Sequence, residues 1–292
     1  MKYGLDEVKT FLAVVENGSI SGAATRLGIA KSVVSSRGVT PTDRGRVFHE
    51  QACAAIAQLE QAAEAVTDDE AALSGLLRIS VPMTFGTHYL SPILCEFMRV
   101  HPRLELALDL SDRMVDVAAE GYDLAIRITR IKEDSLLVAR KLADSRRAVC
   151  CSPSYAKERG LPKTLGELPQ HAGIGYAHPA ANHLWQFAPA RRMAQLHIAT
   201  PKGRILTNNG EAMRDAAVAG LGLAALPLFI VAEDLRAGRL IHVLPRETPI
   251  PDAIYAVYPQ RRHKLRRLSA LVEHLRNALA GVPPWERHLS AR

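Results

Sequence analysis

The chain has 292 residues, 48% of them hydrophobic, which is enough to form the cores of about two domains plus a small appendage. Lys and Arg outnumber Asp and Glu by 37 to 30, and the resulting net charge of +7 favours polyanionic partners. The N-terminus has no apolar secretory core and no apolar run approaches the roughly 20 residues of a membrane span, so we expect a cytoplasmic protein without a membrane partner.

The first predicted element is a short amphipathic helix. Val8, Phe11, Leu12 and Val15 follow one another at i, i+3, i+4 and i+7, and Asp6 lies near the start of this helix. A helix with one apolar face must pack against other elements. We therefore expect it to support the two helices that come after it.

Residues 18–37 predict a helix-turn-helix. Ser21 is a good N-cap for one helix, Gly28 ends that helix in a short turn, and Ser32 caps the next helix. The second helix of such a unit lies in the DNA major groove. The residues that we expect to contact DNA are Ser21, Lys31, Ser32, Ser35, Ser36 and Arg37. The alternative is three small packed helices that bind no nucleic acid.

A long helix follows from Thr40. We predict Thr40 as its N-cap, Pro41 as its first residue and Asp43 at its third position. Small and apolar residues then recur at spacings of four and three, which is typical of a dimerising helical seam. The seam residues are Phe48, Ala52, Ala55, Leu59, Ala62 and Val66. The alternative is an amphipathic helix that lies on its own domain.

From residue 74 onward, strands and helices alternate. Strands are predicted at 77–81, 104–110 and 124–128, with helices at about 87–100 and from Asp112 to Gly121 between them. This order predicts a parallel sheet with helices on its faces. A second set, from residue 148, includes strands at 148–151, 173–176, 223–226, 240–244 and 254–258 and helices at about 153–159, after Asn209 and at 265–280. Two such subdomains bind ligands in the cleft between them.

The motifs along the whole chain resemble those of LysR-type transcriptional regulators. They are the helix-turn-helix of residues 11–37, the entry to the long helix at 40–45, GYDLAIR at 121–127, AGLGLAALP at 219–227, GRL at 238–240 and YAVYP at 255–259. The resemblance implies a winged helix-turn-helix, a dimerising linker helix and an α/β effector domain of two subdomains, like a periplasmic binding protein. It also implies assembly as a homodimer or tetramer on promoter DNA. We therefore predict domains at residues 1–39, 40–73 and 74–292.

The sequence departs from the family after Arg37. There the family continues the recognition helix and adds a two-stranded wing rich in Arg and Thr, whereas here Gly38 and Val39 run straight into Thr40. Gly38 has poor helix propensity. The sequence therefore predicts an incomplete DNA-binding domain, either because the chain is an internally deleted paralogue or because residues of the natural protein are missing from it.

The effector site is predicted where strands end at the cleft. Pro82 stops a strand, so Thr84 and Phe85 begin the following helix, whose free N–H groups suit a carboxylate. The resemblance also implies an effector contact at Thr84. Thr129 follows another strand, and Asn208 and Asn209 begin a helix of the second subdomain. For the two asparagines, a simple helix-capping role is the alternative.

Signals for other chemistry are weak. The Gly220-x-Gly222-x-x-Ala225 pattern opens a strand rather than a helix, which is the reverse of a dinucleotide site. His178 and His183 have no nearby Cys or carboxylate to complete a metal site, and the four cysteines lack CxxC spacing. The basic run at 261–267 is typical of a solvated helix start, with phosphate contact as the alternative. We expect no enzyme activity, metal or cofactor.

The sequence as a whole predicts a regulator that responds to a small organic anion, such as a carboxylate or an aromatic acid. A second hypothesis is a dimerising ligand-binding paralogue that no longer binds DNA specifically. A third is a periplasmic solute binder, against which the N-terminal helices and the absence of a signal peptide argue.

Overall fold

The computed structural model describes residues 4–17, 40–65, 73–118, 120–130, 137–177, 185–187, 197–198, 200–247, 249–262 and 265–287. The predicted second and third helices of the helix-turn-helix, including every residue from Ser21 to Arg37, lie outside these ranges. Within them, no helix is both long enough and apolar enough to cross a bilayer.

Two helices form the described N-terminal part: α1 (Leu5–Asn17) and α2 (Asp43–Ala65). Leu12 of α1 packs with Ala52 and Cys53 of α2 in a small buried cluster. The cap of α2 differs from the prediction, because the hydroxyl of Thr42, and not that of Thr40, accepts the Gly45 N–H at 3.1 Å. Pro41 therefore precedes the helix.

The described residues after α2 form twelve strands and six further α-helices. The strands are β1 (Ser74–Val81), β2 (Arg103–Leu110), β3 (Leu124–Thr129), β4 (Leu137–Ser145), β5 (Arg147–Cys151), β6 (Ala172–Tyr176), β7 (Gln186–Phe187), β8 (His197–Ile198), β9 (Lys202–Thr207), β10 (Ala224–Pro227), β11 (Ile241–His242) and β12 (Asp252–Pro259). The helices are α3 (Met83–Phe85), α4 (Ser91–Val100), α5 (Pro153–Arg159), α6 (Gly210–Val218), α7 (Leu228–Arg236) and α8 (Arg266–Ala278). A π-helical turn (Gly86–Leu90) joins α3 to α4, and 3₁₀ turns span Leu165–Gln170 and Gln260–Arg262.

The first subdomain is built on a five-stranded sheet in the order β2-β1-β3-β12-β4. β1 pairs in parallel with both β2 and β3, as the sequence predicts. β12 is antiparallel to β3 and β4, so the five-stranded sheet as a whole is mixed. The antiparallel pairs arise because the chain leaves this sheet after β4 and returns to it from the second subdomain as β12.

The second subdomain contains β5 to β11. β10, β5 and β11 form an antiparallel sheet, and β6 pairs in parallel with β9. A parallel bridge between Gly173 and Leu223 connects these two groups. Gly222 is required beside that bridge, because its φ is +158° and a Cβ there would lie 2.6 Å from the Ala172 carbonyl oxygen. Gly222 therefore serves a strand junction, whereas Gly220, with a φ of +80°, follows the end of α6.

The helix predicted from Asp112 to Gly121 is wrong. The described residues between β2 and β3 form turns and irregular backbone. Val115 and Val117 are both buried, with Tyr122 and Ala125, at a spacing of two that no single helix face provides. Moreover, Asp112 accepts the N–H of Met83 at 3.0 Å instead of capping its own segment. This segment therefore packs as a loop over the end of the first sheet.

Candidate functional site

A cavity of about 190 Å³ lies between the two subdomains. The ends of β1 and β3 form its floor on one side, and β10 with the starts of α6 and α7 forms the other side. Phe85, Met213 and Phe229 give it apolar walls. An engineered cavity of roughly 150 Å³ holds benzene. This cavity therefore has room for a small aromatic or aliphatic molecule.

Thr84 and Phe85 both line the cavity, where the sequence predicts an effector site. They reach it because Pro82 ends β1 and the chain turns directly into α3. Thr84 is only 5% exposed, and its hydroxyl has no hydrogen-bond partner among the described residues. A buried hydroxyl without a partner is costly. It is therefore a ready donor or acceptor for a bound molecule.

The start of α3 already holds a carboxylate. Asp112 accepts the Met83 N–H at 3.0 Å, so this N–H is not free for an effector as the sequence analysis assumes. Burial raises the pKa of the Asp112 carboxyl, the Met83 hydrogen bond opposes this rise, and Glu211 adds to it. A second anion close to Asp112 would be repelled.

Three guanidinium groups line the cavity, against the single carboxylate of Asp112 among the charged lining residues that the structure describes. They belong to Arg113, Arg127 and Arg147. The sequence analysis missed all three. The position of Arg127 near the end of β3, two residues before Thr129, is the only signal that points to one of them.

Arg147 is buried at the start of β5, and its Nη2 forms an ion pair with Asp252. The Asp252 side chain is fully buried, and Arg130 lies 3.5 Å from it on the other side. The Nε of Arg147 has no hydrogen-bond partner among the described residues. Two cations thus share one carboxylate at the crossing between the subdomains.

Thr129 and Tyr176 add polar groups to the lining. The Thr129 hydroxyl donates a long hydrogen bond of 3.4 Å to the Arg130 carbonyl oxygen, so it is weakly engaged. Burial, with a contribution from Asp112, raises the pKa of Tyr176 to about 12. Its phenol therefore stays protonated at neutral pH and is able to donate a hydrogen bond.

Asn208 and Asn209 are not among the residues that line this cavity. Asn209 caps α6, because its side chain accepts the Ala212 N–H at 3.0 Å. Asn208 is exposed. Asn209 thus has the capping role that the alternative gives it, and Gly210 is the residue of this helix start that reaches the cavity.

Contacts across the cleft join the two subdomains. His88 lies 2.8 Å from the Glu211 carboxylate, and the Tyr89 hydroxyl donates to the Phe229 carbonyl oxygen at 3.2 Å. Phe85 packs edge-on against Phe229 with ring centroids 5.5 Å apart. Phe85 and Phe229, which form part of the cavity wall, therefore also belong to the contact between the subdomains.

The predicted seam on α2 is divided between two environments. Ala52 is buried against α1, whereas Leu59 is 55% exposed, Ala55 is exposed and Phe48 packs edge-on against Phe11. Val66 lies outside the described residues, and nothing is described of the Ala62 side chain. His178 and His183 also lie outside these residues. Within the described part, no group of three His, Cys, Asp or Glu side chains is arranged to hold a metal ion.

Two family models match the chain. Residues 70–280 match the LysR substrate binding domain, and residues 5–38 match the bacterial regulatory helix-turn-helix protein, lysR family. The second range contains every residue predicted to contact DNA. These matches describe transcriptional regulators and not enzymes.

Similar proteins agree with the two models. PtxR of Pseudomonas aeruginosa, an HTH-type transcriptional regulator, is 31% identical over 96% of this chain and 94% of its own. The regulatory domain of the Neisseria meningitidis regulator CrgA has a TM-score of 0.62 at 28% identity, covering 71% of this chain and all of that one. The full-length Vibrio cholerae virulence activator AphB has a TM-score of 0.64 at 25% identity, covering 94% and 98%. The chain belongs to the LysR family of bacterial transcriptional regulators.

Proposed function

We propose that this regulator binds a small organic anion, a carboxylate or an aromatic acid, in the cavity between its two subdomains. The unpartnered hydroxyl of Thr84 carries this proposal, because it faces a cavity whose charged lining is mainly basic. The size of the cavity limits the ligand to roughly the dimensions of a benzene ring with one acidic group.

A thermal-shift experiment on the whole chain tests the ligand class. Benzoate and succinate are each compared with benzamide and succinamide, which have nearly the same shape but no charge. A ligand that binds only the folded state raises the melting temperature as its concentration increases. We expect a concentration-dependent rise with at least one of the two acids and a smaller rise with its amide. Equal shifts for acid and amide, or no shift with any of the four, would contradict the proposal.

We further propose that the chain acts on promoter DNA in the cytoplasm of a bacterium, as a dimer or tetramer assembled through α2. The exposed Leu59 and Ala55 support the assembly, because they leave part of the apolar seam uncovered in one chain.

A second candidate function is that of a dimerising ligand binder with weak DNA affinity. The alignment with CrgA of Neisseria meningitidis supports this second candidate. It spans 306 residues, more than the 292 of this chain, so CrgA has residues without a counterpart here. The sequence analysis locates such a loss after Arg37, where the end of the recognition helix and the wing are expected. Base contacts need that helix, and phosphate contacts fix its register.

Fluorescence anisotropy on a cognate promoter and on scrambled DNA separates the two candidates. If the reading helix is incomplete, both DNAs should bind weakly and with nearly equal affinity. Each lost phosphate contact lowers the dependence of log affinity on log salt by about 0.9. A large preference for the promoter from this 292-residue chain would instead support the specific regulator.

A further inference from the structure

Arg127 differs from the other cations of the cavity in how its charge is balanced. Arg113 pairs with Glu120, with its Nη2 2.5 Å from the carboxylate, and Arg147 pairs with Asp252. Within the part of the chain that the structure describes, Arg127 has no carboxylate within 4.0 Å; its hydrogen bonds go to the Val115 carbonyl oxygen and to the Met114 sulfur. Among the three arginines of the lining, Arg127 is therefore the one whose hydrogen bonds within the described residues go to neutral acceptors, while Glu120 and Asp116 act on its charge from beyond ion-pair distance.

The contact with Met114 is weak. Nη1 of Arg127 lies 3.2 Å from the Met114 sulfur, and a thioether is a poor hydrogen-bond acceptor. Arg127 is also partly buried, and this burial lowers the pKa of its guanidinium. A cation that has lost water and whose hydrogen bonds go to neutral acceptors is well suited to take an anion.

Met114 belongs to a segment that covers one side of the cavity, residues 111–118, which we call the cover segment. Val115 and Val117 anchor this segment in a buried cluster with Tyr122 and Ala125. Met114 itself is 59% exposed although it lines the cavity. The side chain of Met114 is therefore the part of the cover segment that moves at least cost.

We infer that Arg127 is the counter-ion of the effector's acidic group and that Met114 occupies this position until the effector displaces it. The inference rests on the proposed function, because it assigns a place to the anion that we propose. A hydrogen bond between two charged groups is roughly twice as strong as one between neutral groups, so a carboxylate replaces the thioether favourably. Asp112, on the same segment, also lines the cavity, and its carboxylate repels an incoming anion. Effector binding therefore acts on the cover segment at Met114 and at Asp112.

The test compares Arg127→Gln with the control Arg276→Gln in the whole chain, using benzoate and benzamide as probes and calorimetry for affinity. Loss of a hydrogen bond between charged groups corresponds to about a tenfold or larger loss of affinity. We expect this loss for benzoate in Arg127→Gln, with benzamide affected less than threefold. Arg276 pairs with Glu273 on α8 and does not line the cavity, so in Arg276→Gln we expect benzoate affinity to change by less than about threefold.

Two further variants keep the test decisive if Arg127→Gln folds poorly. Arg127→Lys keeps the charge and should retain part of the preference for benzoate over benzamide. Met114→Leu keeps the bulk but offers no acceptor, so the unliganded state loses a contact and benzoate affinity should rise about twofold or more.

The outcomes separate the inference from the proposed function. Wild-type benzoate affinity in Arg127→Gln, or equal losses in both glutamine variants, would overturn the role of Arg127 while the proposed function stands. Unchanged or lower benzoate affinity in Met114→Leu would overturn the role of Met114. A wild-type protein that binds benzoate no better than benzamide would overturn the proposed anion itself.

Discussion

Replacing Thr84 with valine should make the unliganded protein more stable and lower its affinity for the effector. Valine keeps the branched shape of threonine and removes its hydroxyl. In the structure, this hydroxyl is buried at the cavity and has no hydrogen-bond partner among the described residues. A polar group that lowers stability when no ligand is bound is typical of a binding site. A gain in stability together with a loss of effector affinity in the same variant would distinguish Thr84 from a residue that only packs.

The magnitudes depend on the burial of Thr84, which is 5% exposed. A buried hydroxyl without a partner costs about 1–3 kcal/mol in proteins, so Thr84→Val should raise the free energy of unfolding by about 1 kcal/mol. For a domain of 150–250 residues, that corresponds to a rise in melting temperature of about 2–4 °C. If the effector accepts from this hydroxyl or donates to it, the variant loses about 1–3 kcal/mol of binding free energy.

Calorimetry with benzoate and urea unfolding without ligand measure the two effects. Ser145→Ala is the matched control, because the Ser145 hydroxyl is also buried and unpartnered among the described residues but does not line the cavity. It should stabilise the unliganded protein by a similar amount and leave benzoate affinity unchanged. If Thr84→Val binds benzoate as tightly as the wild type, Thr84 is not an effector contact. A less stable unliganded variant would show that the hydroxyl has a partner in solution.

Three other changes test separate parts of the molecule. Leu59→Glu should place a charge in the α2 seam and split the oligomer, as measured by light scattering. Val47 is 61% exposed on the same helix but off the seam, so Val47→Glu should leave the oligomer intact. A monomeric wild-type protein would contradict the proposed assembly. Asp252→Asn should cost about 3–5 kcal/mol in urea unfolding, because it removes the carboxylate paired with buried Arg147; a near-neutral result would mean that water reaches this pair. Burial raises the folded pKa of Asp112 above its unfolded value, so this carboxyl contributes most stability at low pH and loses that contribution as pH rises through the folded pKa. Asp112→Asn should therefore flatten this part of the plot of unfolding free energy against pH. An unchanged plot would refute this role of Asp112.

Local signals in the sequence account for most elements of the fold. Ser152 caps α5 and Pro153 begins it, so the helix is found at the predicted residues 153–159. Apolar alternation over residues 104–110 likewise predicts β2, which is Arg103–Leu110. Such elements are predictable because the residues that start, stop and bury them are close together in the chain.

Elements that depend on distant partners are less predictable. The sequence analysis has no strand at β4 and no helix at α7. β4 is held by its antiparallel partner β12, more than 100 residues away, and its burial alternates poorly. α7 begins directly after Pro227, and a proline after an apolar strand indicates that the strand stops without determining the type of the next element.

The candidate site divides in the same way. Thr84, Phe85 and Thr129 line the cavity because strands that end at one edge of a sheet deliver their next residues to the same cleft, a rule that needs only strand order. The charge of the cavity lining depends instead on which groups the arginines meet, and these are distant in the chain: Arg147 pairs with Asp252, whereas the hydrogen bonds of Arg127 among the described residues go to a carbonyl and a thioether. The sequence shows arginines at all of these positions with equal weight. The three-dimensional pairing separates Arg127 from Arg147, which is why we assign the proposed anion to Arg127 and not to the start of α3, where Asp112 accepts the Met83 N–H.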